Sequence, residues 1–248
     1  MNILSNPSLL RIVFCAALIA LSGLPSASAA VLLQYGFGTS AGTYDPTTVA
    51  TGIQSLSSTR NGSGGGAFSS SAGLPAYSLI LPALNATTTE SGAVSSGDYF
   101  EFTVRVNAGS GQQFNLSNLS FDYGLGTGGT YPNSSFAASF FVRSSLDSYA
   151  TTLGSIYSVE TTDGASVSQK WGTTASISLS ASPFQGASEV TFRIYNYNSA
   201  SVASAFARLD NVTVQGVLIP EPSAGFLLGI GMLAFLGLRR EGRRSAAK

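Results

Sequence analysis

The chain has 248 residues, with 12 Lys and Arg against 12 Asp and Glu, no histidine and one cysteine. The lack of histidine excludes Ser-His-Asp and Cys-His hydrolases, His-ligated zinc and an imidazole base poised near neutrality. Charged residues are 10% of the chain against the ~25% of ordinary soluble domains, so Ser, Thr, Asn and Gly carry the solvent-facing surface, and no basic face is offered to nucleic acid.

The chain opens with Arg11 before the apolar run Ile12 to Leu21, then Pro25-Ser26-Ala27-Ser28-Ala29-Ala30. A short apolar run ending in small residues is the pattern read by signal peptidase. Residues 1–30 are expected to be a signal peptide, with Ala27, Ala29 and Ala30 forming the cleavage region and the cut after Ala29 or Ala30. Cys15 lies inside this run, so the mature chain has neither a disulfide nor a thiol, although an extracytoplasmic compartment would permit disulfides.

Residues 31–218 are long enough for one sizeable core and are expected to form one domain. They carry six basic and ten acidic residues, a formal charge of −4. Their apolar period is two. In Tyr99 to Val106, Phe100, Phe102, Val104 and Val106 fall on one face, as a half-buried strand requires. Ser135 to Arg143 repeats the pattern with Phe136, Ala138, Phe140 and Val142 inward, and Glu189 to Asn196 does so with Val190, Phe192 and Ile194 inward. Ile177 and Leu179 mark a shorter strand, and Leu32–Phe37, Leu119–Tyr123, Ile156–Val159 and Asn211–Val217 are further candidates. Glycine-rich clusters such as Asn61 to Gly66 and Gly124 to Gly129 read as turns and loops. No amphipathic helix of useful length is expected before the C-terminal tail. Many short strands without intervening helices imply an all-β fold, a single antiparallel β-sandwich of the jelly-roll kind.

Candidate chemistry is sparse. The acids are scattered, and the one close pair, Asp98 and Glu101, has opposite strand parity, which argues against a glycosidase dyad. No catalysis is expected. If Leu209 to Val214 is a regular strand, Asp210 shares a face with Val212 and Val214 and points at the core, where a charge requires a partner. A calcium ion joined by backbone carbonyls is one such partner; a bulge near Leu209, bonds from backbone N–H groups, or pairing with Arg208 are the alternatives. Sugars are held by flat aromatic faces together with hydrogen bonds. Trp171, the only tryptophan, is expected in a polar loop, Gln169 to Gly172, and Tyr99, Phe141, Tyr195 and Tyr197 take outward strand positions. Trp171, Tyr195 and Tyr197 are the candidate stacking residues. The competing reading is that such aromatics cover a second layer or close one end of the sandwich.

The last thirty residues carry the clearest message. Ile219-Pro220-Glu221-Pro222-Ser223 reads as a hinge, Ala224 to Leu238 is an uncharged apolar helix, and Arg239, Arg240, Arg243 and Arg244 follow it. By the positive-inside rule those arginines stay cytoplasmic and everything upstream is exported. At ~1.5 Å per residue the helix is short of the ~30 Å hydrocarbon core, a poor permanent anchor. Pro220-Glu221-Pro222, the apolar stretch and the Arg-rich end, in that order, resemble the C-terminal signal of the PEP-CTERM family of surface proteins in Gram-negative bacteria. The resemblance implies that residues 219–248 are read by an exosortase, with transient anchoring in the inner membrane and delivery to the cell surface or exopolysaccharide matrix.

More loosely, Val190 to Tyr197 followed by Ala207 to Val214 resembles the last two strands of jelly-roll domains in such surface proteins, similar in fold to carbohydrate-binding modules. Ser144-Ser145-Leu146-Asp147-Ser148-Tyr149 resembles a turn in the same domains, with Ser148 where glycine is frequent. The expected function is a structural or adhesive role in a biofilm matrix; the alternatives are a dedicated, lectin-like carbohydrate-binding module and, behind it, a carboxylate-based glycan enzyme.

Overall fold

The computed structural model describes residues 28–38, 42–62, 68–70, 77–81, 87–127, 136–161, 169–199 and 205–220. The expected signal peptide up to Ala27 and the expected apolar helix and Arg-rich end lie outside these residues. Among the described residues no helix is long and apolar enough to cross a membrane.

Two antiparallel sheets make a sandwich. The smaller has the order β3 (Thr59–Asn61), β6 (Tyr99–Arg105), β13 (Glu189–Asn198), β8 (Phe136–Ser144), β9 (Leu153–Thr161). The larger is built on two 16-residue strands, β7 (Gln112–Thr127) and β14 (Ala205–Pro220), paired along their whole length. On the far side of β14 lie β1 (Ala30–Tyr35) and β5 (Tyr77–Ile80), backed by β2 (Thr48–Val49) and β4 (Phe68–Ser70). On the far side of β7 three short strands follow one another: β10 (Gln169–Trp171), β11 (Ala175–Ser178) and β12 (Gln185–Ala187).

Period-two alternation forms the core between the sheets. The smaller sheet contributes Phe100, Phe102 and Val104 of β6, Val190, Phe192 and Ile194 of β13, and Ala138, Phe140 and Val142 of β8. The larger sheet contributes Leu119, Phe121, Tyr123 and Leu125 of β7 to the same cluster, and the rings of Tyr123 and Phe140 meet across it at 5.3 Å. Each Val, Leu, Ile and Phe among them contributes about 1.5–3 kcal/mol on full burial. β13 and β14, consecutive in the chain, are split between the sheets, one strand in each.

Three local expectations differ. Gly124 to Thr127 is not a loop but the end of β7, because β10 and β14 pair with it from both sides. A short helix, α1 (Glu90–Ser96), is present: Thr89 caps it by accepting from the Gly92 N–H at 3.1 Å, and Gly97 ends it at φ +69°. Two turns are too few for a helical period to show in sequence. Finally, β14 continues past residue 218 to Pro220, so Ile219 and Pro220 belong to the sheet and not to a free hinge.

Candidate functional site

The sheet registers define what each outer face presents. On β7, Phe121, Tyr123 and Leu125 point into the core, so Asp122 and Gly124 point outward. Trp171 lies opposite Gly124 in β10, not in a loop. A Cβ on Gly124 would stand 2.9 Å from Trp171 Cδ2 and Cε3 and 2.8 Å from the Lys170 carbonyl oxygen. Only glycine lets the half-buried indole lie this close to the sheet.

Asp210 lies directly opposite Asp122 and therefore shares the outer face. The regular-strand expectation that placed it with Val212 and Val214 is corrected by a bulge: the register shifts between Asp210 and Thr213, and Asn211 takes φ +50°. Ala207 and Leu209 before the bulge and Val212 and Val214 after it are the core residues. Asp210 is nonetheless only 3% exposed, as is Arg208, whose Nη1 donates to Ser78 Oγ at 2.8 Å. Burial, opposed by a bond from the Asn211 N–H and reinforced by the Asp122 charge, pushes the Asp210 carboxyl up to about 6.

Asp122 accepts from Thr174 Oγ1 at 2.6 Å and from Asn211 Nδ2 at 2.9 Å, and Asp210 Oδ1 accepts from the Asn211 N–H at 2.8 Å. These oxygens face hydrogen-bond donors, whereas calcium needs six or more oxygen ligands. Among the described residues no three metal-ligating acids, histidines or cysteines come together. The arrangement does not fit a calcium site.

Below this cluster the outer face continues in polar rows set by register: Ser176, Ser120 and Thr213, then Ser178, Asn118 and Gln215. Ser176 Oγ donates to Asn118 Oδ1 at 3.0 Å. Rows two residues apart recur every ~6.6 Å.

The other candidate aromatics belong to the opposite face of the molecule. Tyr195 pairs with Tyr99 on one side and Phe141 on the other, and its ring stacks on Phe141 at 5.1 Å. Tyr195 is 2% exposed and Phe141 fully buried, and Ala93 of α1 joins them in one small cluster. Tyr197 is half-buried at 6.1 Å from Phe141. Beside them Glu101 accepts from Arg193 Nε at 2.6 Å, and Arg193 lies between the rings of Tyr99 and Tyr149 at 4.3 and 3.8 Å. Asp98 falls outside β6, after the Gly97 cap, so it forms no strand pair with Glu101.

Sequence reasoning singled out Trp171 and Asp210 as candidates but not their neighbours Asp122, Thr174 and Ser78 or the glycine beneath the indole. The usable signal was the alternation Phe121-Asp122-Tyr123-Gly124-Leu125, which reads as a strand once its glycine is not taken for a turn.

Residues 218–244 match the family described as the PEP-CTERM protein-sorting motif. No curated protein matches the chain. Among solved structures, the CBM22-1 xylan-binding domain from Paenibacillus barcinonensis Xyn10C is similar at 14% identity and a TM-score of 0.34, over 77% of this chain and 97% of that one. The chain is thus a predominantly antiparallel β protein that carries a PEP-CTERM protein-sorting motif at residues 218–244.

Proposed function

We propose that this is an exported, exosortase-sorted surface protein whose sandwich binds a linear, largely uncharged polysaccharide across the outer face of the nine-stranded sheet. The observation that carries the reading is Trp171 lying on Gly124 at the head of a face made of Thr174, Asn211, Ser176, Ser120, Thr213 and Asn118. A flat aromatic supplies apolar contact for a sugar ring, and the hydroxyls and amides supply hydrogen bonds at little desolvation cost. Signal peptidase and the inner membrane enter as the expected export route, and the exopolysaccharide matrix as the destination.

Binding is favoured over catalysis by geometry. Asp122 and Asp210 are cross-strand neighbours, whose Cβ atoms stand about 4.5–5.5 Å apart side by side on one face. That spacing alone lies in the range of a retaining glycosidase pair, about 5–5.5 Å, but both Asp122 oxygens accept hydrogen bonds, from Thr174 and Asn211, and Asp210 is buried, so neither carboxylate is presented to a sugar.

The test is affinity electrophoresis of the purified protein in gels containing the host's exopolysaccharide. The wild type is expected to be retarded, and Trp171→Ala, which removes a half-buried ring, to run freely with the fold kept and the melting temperature lowered by about 2–5 °C. A wild type that runs freely would leave the passive matrix role in place of the binder.

A further inference from the structure

One polar row crosses the whole outer face of the larger sheet. Ser176 of β11 pairs with Ser120 of β7, Ser120 with Thr213 of β14, Thr213 with Gln34 of β1, and Gln34 with Thr48 of β2. Leu33 and Tyr35 on either side of Gln34 point into the core, so Gln34 and its row point outward. Each member of the row is half-buried or exposed. Four steps between strands, at about 4.8 Å each, make the row about 19 Å long.

The neighbouring row runs the same way. Thr174 and Asn211 both donate to Asp122, and a Cβ on Gly36 would stand 3.9 Å from Asn211 Oδ1 and 3.5 Å from Thr47 Oγ1, so this row continues over Gly36 to Thr47. The β1–β2 end is held by its own bonds. Thr47 Oγ1 donates to the Gln34 carbonyl at 3.2 Å and Thr48 Oγ1 to Gln34 Oε1 at 3.3 Å, and the Gln34 amide keeps its Nε2–H donors. Beyond these two rows the outer face is closed, because Arg208 and Asp210 are each 3% exposed and Ser78 is fully buried.

A chain laid along β7 and β14 would run from the open rows into covered side chains, whereas a chain laid across the strands meets a hydroxyl or an amide at every strand. We infer that the polysaccharide crosses the strands, from Trp171 and Thr174 at one edge to Gln34 and Thr48 at the other, and that the site takes an internal stretch of an extended polymer in preference to a short fragment. The inference rests on the polysaccharide-binding reading of this face. Gln34 and Thr48 are then binding residues, remote from the tryptophan and brought into its row by strand pairing alone. Because Thr47 and Thr48 already fix the Gln34 carbonyl and amide, little side-chain freedom is lost when a ligand arrives.

Isothermal titration of the purified protein with the host's exopolysaccharide, intact and cut by partial acid hydrolysis into sized fragments, tests this. Affinity is expected to rise with fragment length until the row is spanned. Gln34→Ala is expected to weaken binding of the intact polymer about 2–10-fold, the worth of one hydrogen bond, and to leave the shortest bound fragments unaffected. Thr48→Ala, at an exposed position, gives the same readout if Gln34→Ala lowers the melting temperature. Equal affinity for short and long fragments, or unchanged affinity in both variants, would overturn the inference and leave the binding reading intact. A larger loss for Gln215→Ala than for Gln34→Ala would do the same, by putting the polymer along the strands. No binding of the intact polymer by the wild type would remove the binding reading and the inference with it.

Discussion

On the outer face of the five-stranded sheet, Tyr195 stacks on Phe141 beneath Ala93 of α1; on that of the nine-stranded sheet, Trp171 lies on a glycine beside Asp122, Thr174 and Asn211. Both aromatics read alike in sequence, as rings at outward or polar positions. What separates them is the neighbour. Where the chain supplies an apolar lid, an outward ring becomes part of a second small core; where the neighbouring positions are hydroxyls, amides and glycine, the ring stays half-buried beside groups that hydrogen-bond.

The sharpest test of that contrast is Tyr195→Ala. It empties a buried aromatic site and is expected to cost about 3 kcal/mol, a fall of roughly 10 °C in melting temperature, with polysaccharide retention kept. Loss of retention at unchanged stability would mean that binding belongs to the five-stranded sheet instead.

Asp210→Asn comes next. The folded-state carboxyl is raised to about 6 by burial and by Asp122, so between about pH 4 and 6 the folded state holds more protons than the unfolded one. Stability therefore falls as pH rises through that window, and the penalty is complete above it. Asparagine keeps the acceptor for the Asn211 N–H and removes the charge, and is expected to add about 2 kcal/mol at pH 7 and little at pH 4. Melting curves against pH with the same slope in both proteins would refute the assignment.

The smallest effect concerns the turn that carries Tyr149 over Arg193. Ser148 has φ +59° and Tyr149 φ +61°, and Asp147 accepts from the Ala150 N–H at 3.2 Å and the Thr151 N–H at 2.9 Å. The turn forms without glycine, at the cost of a left-handed serine. Ser148→Gly is expected to add about 0.5 kcal/mol, roughly 1–2 °C in melting temperature, and to leave retention unchanged; a lower melting temperature would mean that the serine side chain contributes to the turn.

The all-β class, the inward residues of β6, β11 and β13, and the sorting motif were legible in the chain because each is written in contiguous residues: a period of two, or an ordered tail. Contacts between distant segments settled the remainder. Whether Gly124 to Thr127 turns or pairs depends on β10 and β14, whether Asp210 faces the core depends on one extra residue at Asn211, and whether an outward aromatic is covered depends on a two-turn helix around Ala93. Partners that are remote in sequence fix these outcomes, and local pattern carries no record of them.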